Sequence, residues 1–535
     1  MKESSASTAP VETGAGSIAR ATGIIALGNV ASRVLGLVRE QIITYRFGAT
    51  GLVSAFDIAS TIPTMIYDML IGGMLSAALV PVFSEVGERD GPMDLWAVFS
   101  RVLSLIAVVL AVVVLLLELL APQVAWLLTG SFPELLGGAF RPELQDAVTR
   151  MIRIIAPATL IFGVSGIITA LLYALKRFTF PAFGAAVFNL GIIIAVPLLA
   201  NQLDAFSLAV GVLLGSVLQM LILTPDLRGL RVRFQLDLRH PALRRIVLLY
   251  LPVAAAVILS NIQIMIDRRL AAATGESSVA WMKRATTLVQ LPHGMVAVAV
   301  SLAVLPTLSR LIAAGDPTGF RRTLGQGLRL VLVLIVPATV GLFLLAEPVI
   351  GLLFEHGEFT ARDTFWTAWA LRYYMLGLIF ASVDFPLNYA FYARQDTVTP
   401  ALVGVLSVAV YLGVALALLR PLGMLGLVLA DSAKHFSHAT TMLYLTQRRI
   451  GPLADLGLGG TTGRVAVATV VMGVVVVGAL AGVERVAGVP GLVADTLAVA
   501  VPAGLGAAAY LGVALVLGVG EVGMVRDMVR KRLGK

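Results

Sequence analysis

Cysteine is absent from the 535 residues, which excludes disulfides and thiolate metal sites. Charge is scarce: 13% of the residues are Asp, Glu, Lys or Arg, where a soluble domain carries roughly 25%. There is no Walker-type loop, no nucleophile elbow and no phosphate-cradling glycine turn. The chain is therefore not its own ATPase. Paired acidic motifs are missing from the short loops expected outside, which argues against a membrane glycosyl- or phosphotransferase. What is abundant is hydrocarbon: 58% of the residues are hydrophobic and the mean hydropathy is +0.92. A spanning helix needs about 20 apolar residues, and many such stretches are present. The sequence is that of an all-α polytopic membrane protein. Its net charge of +9 is no nucleic-acid signal, because the bases sit in short loops between apolar spans. No nucleic acid, cofactor or metal is expected.

Fourteen transmembrane spans are predicted near 18–42, 54–84, 98–128, 148–175, 181–200, 206–224, 245–271, 279–311, 327–353, 365–392, 399–419, 422–446, 463–483 and 494–518. Part of this text occurs twice. Leu119-Leu120-Ala121-Pro122-Gln123-Val124-Ala125-Trp126-Leu127-Leu128 returns as Leu344-Leu345-Ala346-Glu347-Pro348-Val349-Ile350-Gly351-Leu352-Leu353, offset 225, with six of ten positions identical. Leu79 to Ser84 returns as Val304 to Ser309 at the same offset, and Tyr173-Ala174 with Pro181-Ala182 returns as Tyr392-Ala393 with Pro400-Ala401 at offset 219. Three matches in order predict two six-helix lobes, a parallel repeat, around a central cavity, plus two C-terminal helices. The expected division is a disordered tail over 1–16, a first lobe over 17–225, a second over 226–450, a final helix pair over 451–520 and a basic tail over 521–535. The first segment lacks a basic leader, and the first apolar stretch contains Arg33 and Arg39, so this helix is expected to stay as an anchor.

Basic residues set the orientation. Lys176-Arg177, a loop with Arg228, Arg231, Arg233, Arg239, Arg244 and Arg245, then Arg310, Arg321, Arg322, Arg448 and Arg449 fall on one side. The tail adds Arg526, Arg530, Lys531, Arg532 and Lys535 there, while the other side has scattered cations such as Arg46, Arg141 and Arg362. Both termini are expected in the cytoplasm.

A charge at mid-bilayer costs about 2.5–3.5 kcal/mol on insertion scales and marks a functional candidate. The first span carries Arg33, Arg39 and Glu40. Arg33 and Glu40 share a helix face, so an internal pair with a snorkelling Arg39 is one reading. A cationic wall facing a cavity is the other. The second span carries Ser54, Asp57 and Asp68, with Pro63 expected to bend the helix and Gly72-Gly73 to weaken it. Asp57 and Asp68 read either as carboxylate partners of Arg33 or Arg39, or as a proton- or cation-linked pair. Arg268 and Arg269 read as interfacial, and Arg284 as a candidate for the cavity, on a face leading to Pro292 and Gly294. In the second lobe Asp384, Asp431, Lys434, His435 and His438 read as local pairs, and the two His alone are a weak metal signal. The cation excess favours an anionic substrate, and phosphate suits the arginine fork. A phosphate head with a greasy tail would fit a cavity open to lipid.

Ser32 to Glu40 with Phe47-Gly48-Ala49 resembles the opening of the MurJ (MviN) lipid II flippases. So do Ala78-Leu79-Val80-Pro81, Arg177 to Phe183 with Asn189, Trp281-Met282, Gly357-Glu358-Phe359-Thr360, Phe391 to Asp396 and Thr399-Pro400. The resemblance runs from about residue 17 to 450. It implies the MOP-superfamily fold, two lobes in a V, with the last two helices forming a groove for a lipid tail. It implies alternating access that carries an undecaprenyl-pyrophosphate-linked peptidoglycan precursor from the inner to the outer leaflet of a bacterial cytoplasmic membrane. Arg33 and Arg39 match the family's cavity arginines, with the diphosphate as partner. Four positions depart from the family pattern. Its acidic residue falls on Ser54 with Asp57 one turn on, and its second-span arginine falls on Tyr67 beside Asp68. Its eighth-span arginine falls on Thr287 with Arg284 one turn earlier, and a further acidic residue falls on Gln290. One-turn replacement by Asp57 and Arg284 is a hypothesis, and the departures keep another lipid-linked sugar open as substrate.

Three functions compete on this reading. One is a flippase for a lipid-linked anionic precursor, in contact with membrane lipids and with cell-wall synthesis proteins as further partners, acting as a monomer. Another is an exporter of drugs or other lipid-linked oligosaccharides, although drug exporters favour acidic cavities. A third is a non-transporting scaffold. The driving force is open among sodium, protons and membrane potential, the last acting at about 2.3 kcal/mol per charge per 100 mV.

Overall fold

The computed structural model describes residues 15–69, 78–130, 140–227, 233–237, 240–452, 457–486 and 491–523. Outside the described residues lie the chain up to residue 14, Gly72-Gly73, Arg228, Arg231, Arg239 and the basic tail from 524. Among the described residues there is no strand, and nineteen α-helices follow one another. They are α1 (Ala15–Phe47), α2 (Gly51–Ala59), α3 (Thr61–Tyr67), α4 (Val80–Arg89), α5 (Pro92–Leu119), α6 (Ala121–Thr129), α7 (Pro142–Ala174), α8 (Thr179–Leu203), α9 (Phe206–Ile222) and α10 (Pro241–Thr274). There follow α11 (Ser278–Pro292), a π segment (His293–Val298), α12 (Ala299–Ala313), α13 (Pro317–Leu344), α14 (Ala346–Phe354), α15 (Ala361–Ala393), α16 (Val398–Leu422), α17 (Met424–Arg449), α18 (Leu458–Val486) and α19 (Leu492–Val516). Among the described residues nine helical stretches, α11 to α12 counting as one, are long and apolar enough to cross a membrane. α5 displays Val108, Val109, Val112, Leu115 and Leu116 on its exposed side, as a lipid-facing helix must, because no water-facing domain leaves so much hydrocarbon uncovered.

The internal repeat is reproduced at the level of helix ends. α5 and α6 have 28 and 9 residues, and so do α13 and α14, each displaced by 225 positions. The breaks are alike: Leu120 has φ −97° and ψ 10°, Leu345 φ −93° and ψ 13°. α7 and α15 both run 33 residues, and α8 and α16 both run 25, at offset 219. The turn between each pair is a Schellman cap. Arg177 N donates to Leu172 O at 2.7 Å, and its counterpart Asp396 N to Phe391 O at 3.0 Å. Lys176 and Gln395 hold φ 60° in the two caps.

Small residues let the helices approach. Gly211 and Gly215 on α9 are spaced as Gly-x-x-x-Gly, and a Cβ on Gly191 of α8 would strike the Gly215 backbone. Such spacing is the close-packing device of membrane helices, where hydrocarbon contact alone gives no preference for helix over lipid.

Two features differ from the sequence expectation. The second span is not bent at Pro63 but broken at Ser60, between α2 and α3. Proline lacks the amide that would bond the carbonyl four residues back, at Ala59, so the helix stops there. The span predicted over 279–311 is interrupted after Pro292 by the π segment, which satisfies backbone groups the proline leaves without a regular partner.

The residues group into two units. The first contains Met1–Ile42, Ile58–Ala125 and Asp146–Ile262, and the second Ile43–Asp57, Trp126–Gln145 and Gln263–Lys535. The first has a core around Phe83, Phe99, Leu171 and Ile246. The second has one core around Phe320, Leu387 and Phe391 and another joining α13 to α18 and α19, where Tyr510 donates to the Val333 carbonyl at 2.6 Å.

Candidate functional site

In the first unit the charged stretch of α1 meets α8. Asn189 donates through Nδ2 to the carbonyls of Ser32 at 3.2 Å and Ala185 at 3.0 Å. Those two bonds fix the amide, so its Oδ1 faces Arg39, which donates from Nη1 at 2.9 Å. The other fork of Arg39 donates from Nη2 to Glu40 Oε1 at 2.6 Å. Glu40 is buried, Arg39 is 21% exposed at its side chain, and Arg33 is exposed one and a half turns earlier. An Arg33–Glu40 pair was one of the two sequence readings; the structure shows Glu40 bonded to its neighbour Arg39. Asn189 was legible as a polar residue in an apolar span, but its role as holder of Arg39 required the fold.

In the second unit Ser54, Asp57 and Arg284 come together. Residues 54 and 57 stand one turn apart on α2, and residues 280 and 284 one turn apart on α11. Ser54 Oγ accepts from Ala280 N at 3.2 Å, and Arg284 Nη1 donates to Asp57 Oδ2 and to the Ala280 carbonyl at 3.3 Å. Arg284 has no exposed side-chain surface and Asp57 has 6%. In this conformation Arg284 therefore presents nothing to a ligand, and Asp57 answers Arg284. A buried pair of this kind is a clasp between two helices. Thr287 returns its hydroxyl to the Lys283 carbonyl at 2.9 Å on its own helix, and Tyr67 packs edge-on against Phe162 with centroids 5.1 Å apart. Asp68 follows α3 and is exposed.

Loops and helix ends of the second unit line an open cavity of about 640 Å³, with Thr50, Glu276, Ser278, Trp281, Glu358, Asp363 and Trp366 among its walls. Trp281 Nε1 donates to Asp363 Oδ1 at 2.8 Å, and Asp363 also closes the capping box of α15 with Thr360. Gly48 and Gly357, at φ 63° and 64°, cross beside it: a Cβ on Gly48 would strike the Glu358 carbonyl, and one on Gly357 the Tyr45 carbonyl. Glu358 N donates to Tyr45 O at 3.0 Å. In the first unit, Arg245 donates to Glu85 at 2.8 Å and holds that carboxyl below its usual range.

A family model described as lipid II flippase MurJ matches residues 43–494. The chain belongs to the MurJ family. Among its relatives, a probable lipid II flippase MurJ of Haemophilus influenzae is 29% identical over 429 residues, covering 78% of this chain and 83% of the relative. A lipid II flippase MurJ of Burkholderia cenocepacia is 30% identical over 382 residues, covering 70% and 73%. The solved structure of a lipid II flippase MurJ in an inward closed conformation superposes with a TM-score of 0.77 at 21% identity, over 95% of this chain and 99% of that one. An inward-facing multidrug resistance MATE transporter of the MOP superfamily gives 0.66 at 14% identity, over 79% and 96%. The last two likenesses speak to the fold. Asp57 and Arg284, each expected from sequence as a one-turn replacement, are bonded to each other.

Proposed function

We propose that this protein moves a lipid-linked peptidoglycan precursor, lipid II, from the inner to the outer leaflet of a bacterial cytoplasmic membrane by alternating access, for cell-wall synthesis. The observation that carries the reading is membership of the MurJ family over residues 43–494. The held guanidinium of Arg39, with Arg33 exposed on the same helix, supports a diphosphate-binding role for α1. A guanidinium fork matches phosphate oxygens pairwise, and the same cations oppose a drug-cation exporter. Ser54, Asp57 and Arg284 act here as a helix clasp, with a substrate contact reserved for a conformation that opens it. Glu40 helps to orient Arg39. Asp68 is exposed.

Fourteen spans, lobes over 17–225 and 226–450, a lipid-tail groove formed by the helices of 451–520, cytoplasmic termini and a monomeric state belong to this proposal, as do cell-wall synthesis proteins as partners. The loop cations support the orientation. The test is depletion of the protein in its own cell with leaflet-resolved detection of lipid II. Accumulation in the inner leaflet is expected, and normal outer-leaflet delivery would sink the reading.

A further inference from the structure

A cluster of titratable side chains lies within the second unit. His438 of α17 places Nδ1 2.7 Å from Asp384 Oδ1 of α15, and Asn388 Nδ2 donates to Asp384 Oδ2 at 2.7 Å. Both carboxylate oxygens thus act as acceptors. When Nδ1 donates to this carboxylate, Nε2 is the ring atom that takes a further proton. The pair is largely withdrawn from solvent yet reachable, with 16% of the His438 side chain and 12% of Asp384 exposed.

Other charged and titratable groups surround the pair. Two turns before His438, Asp431 is answered by Lys434 at 2.5 Å and approached by His435 at 3.6 Å. From the π segment His293 faces Ser382 at 3.2 Å. α10 contributes Asp267, bonded to Tyr411 of α16 at 2.6 Å, with Arg268 beside it. Tyr389 and Tyr392 extend from α15 below Asp384. Lys434 answers Asp431, so the imidazole is what answers Asp384. With neutral imidazole the pair carries one negative charge; with a proton on Nε2 it carries none. Ionisable side chains inside spanning helices mark proton relays and ion paths, and a one-charge change supplies the differential free energy that a shift between conformations requires.

We propose that the His438–Asp384 pair is a proton-binding site that couples lipid movement to a proton gradient, a proposal that rests on the flippase reading. One proton binds Nε2 from the water on one side of the membrane and leaves to the water on the other; no other bond changes.

The test uses the full chain in vesicles containing lipid II, with potassium and valinomycin clamping the membrane potential at zero and a pH gradient of one unit imposed. One proton per lipid shifts the steady-state leaflet ratio by about tenfold per pH unit, reversing with the gradient. In His438→Gln and Asp384→Asn the ratio is expected to ignore the gradient. A wild-type ratio unmoved by the gradient, or a full response in His438→Gln, overturns the proposal. Should the variants move no lipid, proton uptake decides: between about pH 8 and 5 the purified wild type takes up one proton more than His438→Gln, and equal uptake overturns the site. Wild-type protein that moves no lipid II at all counts against the flippase reading, and the uptake comparison then still judges the proton site.

Discussion

Truncating Arg284 to Ala leaves the Asp57 carboxylate at 6% exposure with its cationic partner gone. The cost of such a change is large because the remaining charge keeps its desolvation penalty without the attraction that offset it. About 3–5 kcal/mol is expected for either Arg284→Ala or Asp57→Ala, while an apolar pair of similar volume, Arg284→Met with Asp57→Leu, falls within about 1 kcal/mol of the wild type. The pair spans α2 and α11 and is seconded by the Ser54 bond to Ala280 N at 3.2 Å, so the lost energy is that of one interhelical clasp. A double-mutant cycle by denaturant unfolding in detergent isolates the coupling, which should reach a few kcal/mol because the groups touch. Both single variants lying within about 0.5 kcal/mol of the wild type would refute the clasp. The Met/Leu protein also separates stability from transport. Normal lipid movement assigns the pair to structure, and a stable protein that moves no lipid assigns it a ligand contact in another conformation.

Asn189→Ala removes the acceptor that holds Arg39 Nη1, and a stability loss of about 1–1.5 kcal/mol with slower lipid movement is expected; unaltered movement in a vesicle assay contradicts the holding role. Gly357→Ala places a Cβ against the Tyr45 carbonyl at a positive φ, with a cost of at least about 1–2 kcal/mol, read as a lowered Tm; an unchanged Tm contradicts the glycine crossing. Burial pushes the Asp396 carboxyl up, but the hydroxyl and amide of Thr399, with Arg449 and Arg394, outweigh it and hold it below its usual range. Its contribution is therefore complete above about pH 4 and is lost as pH falls through the lowered value. Asp396→Asn, which removes the charge that Thr399 and Arg449 bond, should cost about 1 kcal/mol at neutral pH, with the difference from wild type vanishing in acid; a difference that persists in acid contradicts the assignment.

Much of the scaffold was readable because hydrophobic runs and their interruptions are local. The doubled text at Leu119 and Leu344 marks the same break in two helices, and the helix lengths on either side agree to the residue. The motifs Phe47-Gly48-Ala49 and Gly357-Glu358-Phe359 were legible separately; that they cross follows from φ 63° and 64° and backbone contact. The partner of a charge was not readable. Helical spacing favours a neighbour on the same face, so Arg33 was one reading for the partner of Glu40, and Asp384, Asp431, Lys434, His435 and His438 read as local pairs. The structure joins Asp57 to a residue 227 positions away and His438 to one 54 away. Spacing along one helix carries no information about which other helix packs against it.

The most direct measurement is leaflet-resolved movement of lipid II in vesicles holding the purified chain, compared with an Arg33→Ala/Arg39→Ala variant confirmed as folded. Hydrogen bonds to a charged group are worth about 1.5–3 kcal/mol, so the variant should be slower by about tenfold to 100-fold. Lipid II that stays in its leaflet with the wild-type protein, or moves as fast with the variant, contradicts the account.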